Sequence, residues 1–305
     1  MPTLHGRTAI ITGAGRGLGR AHALLFAELG AAVVVNDNGA GPDGRGDDGS
    51  NPAHEVVAQI TAAGGRAVAH IGSVSDWNTA GDMVQLALDE FGGLDVLVNN
   101  AGILRDRTVV NMTEQDWDGV VDVHLKGHFC PLRHAANHWR AETKAGRAVH
   151  ASVINTSSGS GLRGNPGQLN YAAAKAGIAA MTIVAAQELH RYGVRVNAIA
   201  PIARTRLTEQ TPGIGELIKQ VGEGFDVWAP ENVSPLVAWL ATAECHASGQ
   251  VFGVGGGRVG LEQGWTETEV FERGERWTVD ELHEALAGVP SAPRSFTSSL
   301  TKFDG

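Results

Sequence analysis

Thr8-Ala9-Ile10-Ile11-Thr12-Gly13-Ala14-Gly15-Arg16-Gly17-Leu18-Gly19 is the stretch on which the fold turns. A short apolar run enters a glycine-rich turn directly, and an apolar spacing suited to a helix follows over Leu18–Leu29. Glycines let a backbone turn tightly and approach a pyrophosphate, whose charge then sits on the helix N-terminus. A glycine-rich turn alone can be purely structural, but its place between a first strand and a first helix favours nucleotide binding. Gly13, Arg16, Gly17, Leu18 and Gly19 are accordingly expected to contact a cofactor.

The same rhythm runs outward along the chain. Further β-branched runs fall at Ala32–Asn36, Ala67–Ile71, Leu94–Asn99, Ser152–Thr156, Val194–Ala200 and Gln250–Val254, with helical spacing over His54–Ala63, Asp76–Phe91 and Ser234–Leu240. Continuously apolar strands alternating with helices imply a parallel sheet covered on both faces. The expected fold is α/β, a single Rossmann-type doubly wound parallel sheet over residues 1–262. Residues 38–53, rich in Gly, Asp and Pro, read as a loop. Residues 263–305 form a polar C-terminal extension with a short helix over Val279–Leu286; a lid, an oligomer contact and a plain surface excursion all fit it.

Composition bounds the function. Among 305 residues, 43% are hydrophobic, enough for a sizeable core, and 24 basic against 33 acidic residues give a formal charge of −9. Such a surface repels phosphate backbones, so no nucleic-acid partner is expected. Cys130 and Cys245 are too few and too far apart for a disulfide framework or a zinc site, and no metal is expected. The N-terminus reads as a strand rather than a secretion leader. Lys175 and Gly177 interrupt the alanine-rich stretch Ala172–Ala186, so no membrane span is expected. The final residues Lys302-Phe303-Asp304-Gly305 are not a peroxisomal address. The expected compartment is the reducing cytoplasm.

Asp37 closes the second strand eighteen residues past Gly19. A carboxylate there accepts hydrogen bonds from ribose hydroxyls and repels a 2′-phosphate, which favours NAD. Arg16 argues the other way, since a cation in the glycine loop pairs with a 2′-phosphate, so NADP is the less favoured alternative. Tyr171 and Lys175 are spaced i, i+4 and share a helix face. A lysine cation and a positively charged nicotinamide ring are expected to lower the tyrosine pKa from its ordinary ~10. Ser158, thirteen residues before Tyr171, is placed to hold a substrate oxygen. Taken alone, Tyr-x-x-x-Lys is common on surface helices.

The glycine pattern, Asn99-Asn100-Ala101-Gly102, Ser158 and Tyr171-x-x-x-Lys175 resemble, in order and spacing, the short-chain dehydrogenase family over about residues 6–260. The resemblance implies oxidation of a secondary alcohol, or reduction of a ketone, with Ser158, Tyr171 and Lys175 as catalytic residues. It places Asn100, Ala101 and Gly102 beside the cofactor, Ser73 and Val74 near the adenine, and Pro201 to Thr205 over the nicotinamide, with Lys175 also on the ribose. It implies a homodimer or homotetramer joined through the helices holding Leu125–His138 and Tyr171–His190.

Two positions depart from the family pattern. His124 stands where the family often has an Asn that supports a water chain from the lysine; a histidine can bond water through either ring nitrogen, and simple packing fits it equally. Ile202 stands where the family often has Gly. Val33–Asp37, Asn100–Arg107, Val123–Phe129 and Gly164–Tyr171 resemble more narrowly the dehydrogenase part of peroxisomal multifunctional enzyme type 2 and its bacterial single-domain relatives. That branch implies a (3R)-hydroxyacyl-CoA substrate first. A 17β-hydroxysteroid and a 3-oxoacyl carrier-protein substrate are alternatives, and a binding-only redox sensor is a distant one. Arg105, Arg107, Arg163 and Arg204 are candidates for CoA phosphates.

Overall fold

All five residues of β1 (Thr8–Thr12) are buried, and they serve both faces: Ala9 and Ile11 join one apolar cluster, Ile10 the other. The computed structural model describes residues 3–46, 51–209, 218 and 224–290. Around β1 stand β2 (Ala32–Asn36), β3 (Arg66–His70), β4 (Val96–Asn99), β5 (Ala151–Thr156), β6 (Val194–Pro201), β7 (Val251–Gly255) and β8 (Arg258–Glu262). Their order is β3-β2-β1-β4-β5-β6-β7-β8. β8 pairs antiparallel with β7, and every other pairing is parallel.

The helices are α1 (Gly17–Glu28), α2 (Pro52–Ala62), α3 (Trp77–Phe91), α4 (Glu114–Val121), α5 (Gly127–Lys144), α6 (Gly159–Arg163), α7 (Leu169–Leu189), α8 (Arg206–Glu209), α9 (Ser234–Ala241) and α10 (Val279–Ala285). Ala23 and Phe26 of α1, Val56 and Ile60 of α2, and Leu236 and Leu240 of α9 cover one face of the sheet. Met83 and Val84 of α3, Leu132 and Trp139 of α5, and Ala185 and Leu189 of α7 cover the other. Each fully buried large side chain contributes ~1.5–3 kcal/mol. The doubly wound sheet is therefore the architecture of the chain. The order reverses between β1 and β4, which opens a crevice at the carboxyl ends of the strands.

The boundaries shift where side chains intervene. Leu94 and Asp95 precede β4 instead of joining it, because the Leu94 carbonyl accepts from Trp139 Nε1 at 2.7 Å and the Asp95 carboxylate accepts from Thr8 N–H at 2.8 Å. The loop after β2 ends at Asn51, since Pro52 starts α2 at a position where its missing N–H costs nothing; residues 47–50 of that loop lie outside the described residues. The last antiparallel strand, β8, is absent from the sequence expectation, in which Gln250–Val254 is the final strand; Gly255-Gly256-Gly257 follows it. In the fold those glycines reverse the chain into a hairpin, with Gly256 at φ 55°.

Between α4 and α5 the chain runs through a π-helical turn, Asp122–Lys126, in which Gly127 N–H donates to the Asp122 carbonyl. Pro131 deprives the Gly127 carbonyl of its α-helical donor one turn later. Residues 263–278 carry no helix or strand and are exposed save for the half-buried Trp277, and α10 is capped at its start by a Thr278/Glu281 capping box; residues 291–305 of the extension lie outside the described residues. Leu169–Tyr192 is long and apolar enough by composition to cross a membrane. In the fold this helix lies along β6 with Asn170 and Lys175 buried.

Candidate active site

The glycine turn is built for close approach. Gly13 has φ +60°, and a Cβ on it would stand 2.8 Å from the Ala101 Cα. A Cβ on Gly19 would overlap the Gly13 carbonyl and the Asn100 amide. Asn100 braces this junction: its Nδ2 donates to the Thr12 carbonyl at 2.9 Å and the Gly13 carbonyl at 3.2 Å, while Thr12 Oγ1 accepts from the N–H groups of Asn100 and Ala101. The N-termini of α3 and α4 are capped by Asp76 and by a Thr113/Asp116 box, but α1 has no side-chain cap and no acidic residue in its first turn. Its free N–H groups and positive dipole end are left for an anion.

The cleft above this turn holds about 1360 Å³ of empty space, open solvent at its mouth included. Its walls bring together Gly13, Arg16, Gly17, Leu18, Asp37, Ser73, Val74, Asn100, Ala101, Gly102, His124, Tyr171, Lys175, Pro201 and Thr205. The uncapped helix, the glycines and this extended cleft fit a dinucleotide. Three residues singled out from sequence do not stand on the wall. Gly19 lies behind it, packed on Gly13. Ile202 donates its N–H to the Val254 carbonyl at 2.8 Å and packs on Gly255, so its side chain does not reshape the cleft. Ser158 caps α6, accepting from Ser160 N–H at 3.2 Å, and reaches Tyr171 from the side.

Tyr171 and Lys175 lie one turn apart on α7, with the Lys175 ammonium 5.5 Å from the Tyr171 ring. Lys175 is 2% exposed, and its Nζ donates to the Thr156 carbonyl at 2.6 Å. Burial lowers its pKa from 10.5 to about 7. The expectation that Tyr171 is acidified does not hold for the protein alone. Burial raises its pKa to about 12, and only the hydrogen bond from Ser158 opposes the rise. Desolvation of the phenolate outweighs a lysine that burial itself makes reluctant to carry charge.

His124, in the π-turn, packs edge-on against Tyr171 with ring centroids 5.0 Å apart. Burial, and then the Lys175 charge, hold its pKa well below the ordinary range, so the ring is neutral. Its Nε2 is 2.7 Å from the Ile103 carbonyl and 3.1 Å from Ile103 N–H. The shorter contact assigns the proton to Nε2, and the buried Nδ1 is then an acceptor with no protein partner. His128 lies beneath, also kept neutral by burial.

The arginines proposed for CoA have other work. Arg163 pairs with Glu262 at 2.8 Å and Arg204 with Asp226. Arg105 donates to the carbonyls of Asp43 and Gln115, each at 2.8 Å, and Arg107 donates to the Asp106 carbonyl. Sequence reasoning missed Thr12 and Asn170, because a Thr ending a strand or an Asn before a Tyr carries no motif. Asn170 Nδ2 bridges the Arg105 and Asp116 carbonyls, and its Oδ1 accepts from Tyr171 N–H at 2.7 Å, fixing the start of α7. Pro42 and Gly44, from the loop after β2, also reach the cleft wall.

The family described as short chain dehydrogenase matches residues 7–212. Hydroxyacyl-CoA dehydrogenase ChsB1 of Mycobacterium tuberculosis is 46% identical over 261 residues, covering 85% of this chain and 80% of that protein. Peroxisomal multifunctional enzyme type 2 of Mus musculus is 44% identical over 256 residues, 84% of this chain and 32% of the longer protein. The crystal structure of a short chain dehydrogenase from Mycobacterium avium superposes with a TM-score of 0.84 at 53% identity, covering 96% of this chain and 97% of the other.

Proposed function

The chain belongs to the short-chain dehydrogenase family and is an oxidoreductase acting on CH–OH groups, and from that premise we propose that it is an NAD-dependent (3R)-hydroxyacyl-CoA dehydrogenase. The observation that carries the catalytic part is the convergence of Ser158, Tyr171 and Lys175 at one end of the dinucleotide cleft. The substrate class is supported by the name of one relative, hydroxyacyl-CoA dehydrogenase ChsB1, beside the likeness to peroxisomal multifunctional enzyme type 2. Asp37 at the ribose end supports NAD, with Arg16 as the counter-argument for NADP.

In this reading Ser158 donates a hydrogen bond to the substrate oxygen while Tyr171 exchanges its proton. With its pKa at about 12, Tyr171 is a phenol at neutral pH and is ready to donate a proton to a ketone. In the oxidative direction it must first be deprotonated. Bound NAD supplies the hydride acceptor and a cationic ring beside the phenol. Lys175 adds its own charge and holds the ribose, and its buried ammonium is available near neutrality because its pKa lies at about 7. His124 bonds the Ile103 backbone, packs on the ring of Tyr171 and offers Nδ1 as an acceptor for a relay water.

The enzyme works as a homo-oligomer, a reading supported by exposed Phe129 on α5 and Leu169, Ile183 and Val184 on α7. The buried free thiols Cys130 and Cys245 fit a reducing cytoplasm.

The test offers NAD or NADP with a (3R)-hydroxyacyl-CoA and, separately, a 17β-hydroxysteroid, and follows reduced cofactor. Turnover of the thioester with NAD supports the reading. Turnover of the steroid alone overturns the substrate assignment, and faster reaction with NADP overturns the cofactor assignment. Tyr171→Phe should abolish turnover while NADH still binds; a binding-only sensor would keep its output.

A further inference from the structure

The loop after β2 folds back as a compact turn against the cleft. Gly44 N–H donates to the Gly41 carbonyl at 2.9 Å, and Gly41 N–H to the Arg45 carbonyl at 3.1 Å. The turn is docked on the segment that follows Gly102. Leu104 N–H donates to the Pro42 carbonyl at 2.9 Å, and Arg105 Nε donates to the Asp43 carbonyl at 2.8 Å. Gly44, at φ +77°, rests so closely on Ile103 that a Cβ would stand 2.9 Å from its Cδ1. Two main-chain-directed hydrogen bonds and one tight apolar contact make this wall a fixed part of the cleft rather than a free loop.

Arg105 clasps the assembly from outside the cleft. Its far end donates to the Gln115 carbonyl on α4 and lies over Gly119, where a Cβ would overlap the guanidinium. Its own carbonyl accepts from Asn170, the residue before Tyr171, at 3.1 Å. At the base of the turn, one Asp37 oxygen accepts from Gly39 N–H at 2.8 Å and the other from Gly15 N–H at 3.0 Å. The carboxylate thus ties the glycine loop to the wall, and Asp37, Asn38, Ala40, Pro42 and Gly44 line one continuous stretch of the cleft.

We propose that the turn 41–45, clasped by Arg105, is a rigid wall beside the adenosine ribose that excludes a 2′-phosphate by space, making Arg105 a positioning residue for cofactor selection. The proposal deepens the NAD reading above and rests on it. Charge and space make opposite predictions here. If the Asp37 charge alone repelled the phosphate, its removal would leave Arg16, on the same cleft, to attract it, and the preference would invert. A wall that stays in place keeps the phosphate out after Asp37 is gone.

NADH and NADPH are titrated by nicotinamide fluorescence, with no alcohol or ketone present, into wild type, Asp37→Ser, Arg105→Ala and the double variant. Asp37→Ser alone should weaken NADH yet leave NADPH the weaker ligand. Adding Arg105→Ala should improve NADPH relative to NADH by roughly tenfold or more, ~1.4 kcal/mol for each factor of ten. A residue of merely structural importance would shift both cofactors equally, and that result overturns the proposal. So does inversion of the preference by Asp37→Ser alone. Gly119→Ala is the second route. It displaces the Arg105 guanidinium from a helix that alanine strengthens, and in the Asp37→Ser background it should move the ratio in the same direction. Wild type that binds NADPH as tightly as NADH overturns the wall and the NAD reading together. A thioester that is not turned over, with the cofactor ratios as expected, fails the substrate reading alone.

Discussion

Lys175→Met should give a dead enzyme that is more stable than wild type at neutral pH. The lysine pKa falls from 10.5 to about 7 through burial. The folded-state pKa is therefore below the unfolded one, and between the two the unfolded chain holds more protons. Wild-type stability must rise with pH across that window, and the destabilisation is greatest below pH 7, where the ammonium is charged in both states. At pH 7 the desolvation amounts to roughly 4 kcal/mol. The hydrogen bond from Nζ to the Thr156 carbonyl, at 2.6 Å, returns about 1.5–3 kcal/mol of it. Methionine fills a similar volume without charge, so the variant should gain on the order of 1–2 kcal/mol at pH 7. By pH 9 the lysine penalty shrinks by roughly 2 kcal/mol and the advantage should vanish. Urea unfolding of both cofactor-free proteins at pH 7 and 9 reads this directly. A variant no more stable than wild type at pH 7, or a wild type that fails to gain on it by pH 9, would refute the reasoning.

Three further outcomes follow from the same geometry. Ser158→Ala should cut kcat by about 10²–10³ with little change in cofactor affinity, because in the proposed mechanism Ser158 serves the substrate oxygen beside Tyr171 and it stands off the wall that the cofactor would line; steady-state kinetics with a cofactor titration separates the two, and an equal loss in both would place the serine in cofactor binding. Trp139→Ala should cost ~3–5 kcal/mol, since the indole is 1% exposed and its N–H donates to Leu94; a loss below 1 kcal/mol in urea unfolding would mean that α5 packs loosely. His22 is fully buried with its pKa pushed down to about 3, so the unfolded chain binds the proton first and stability falls as pH drops below 6.5. By pH 5 this one ring should cost roughly 2 kcal/mol, and His22→Phe should flatten the acid side of the stability curve; parallel curves for the two proteins would contradict it.

Much of this structure is legible in the chain because local and global signals agree. The strands β1 and β2 are buried on both faces, so each carries an unbroken apolar run, Ala9–Ile11 and Ala32–Val35, that no amphipathic helix imitates. Tyr171 and Lys175 are legible because a helix fixes their separation, and the glycine turn because only glycine tolerates Gly13's φ and Gly19's surroundings. What stayed hidden depends on contacts distant in sequence. β8 is short and half exposed, and it is a strand only because β7 lies beside it. The π-turn has no compositional mark, and the upward shift of Tyr171 follows from burial that spacing cannot reveal. The side chains of Arg105 and Asn170 look like surface groups until the backbone carbonyls they hold are placed. Asp37 reads in the chain only as a candidate ribose ligand, and its two bonds to Gly15 and Gly39 leave no mark there.

The π-turn at Asp122–Lys126 holds one residue more than an α-helix would spend on the same advance. Removing that residue would restore a regular helix, yet it would rotate everything beyond it by about 100°. His128, Leu132, Ala135 and Trp139, all buried against the sheet, would swing toward solvent together, and His124 would leave the ring of Tyr171. Length in this segment is consequently locked to phase. A descendant of this sequence could shed the surplus residue only by relocating its whole inner stripe, and a designer grafting the site onto a straight helix would have to carry the surplus along.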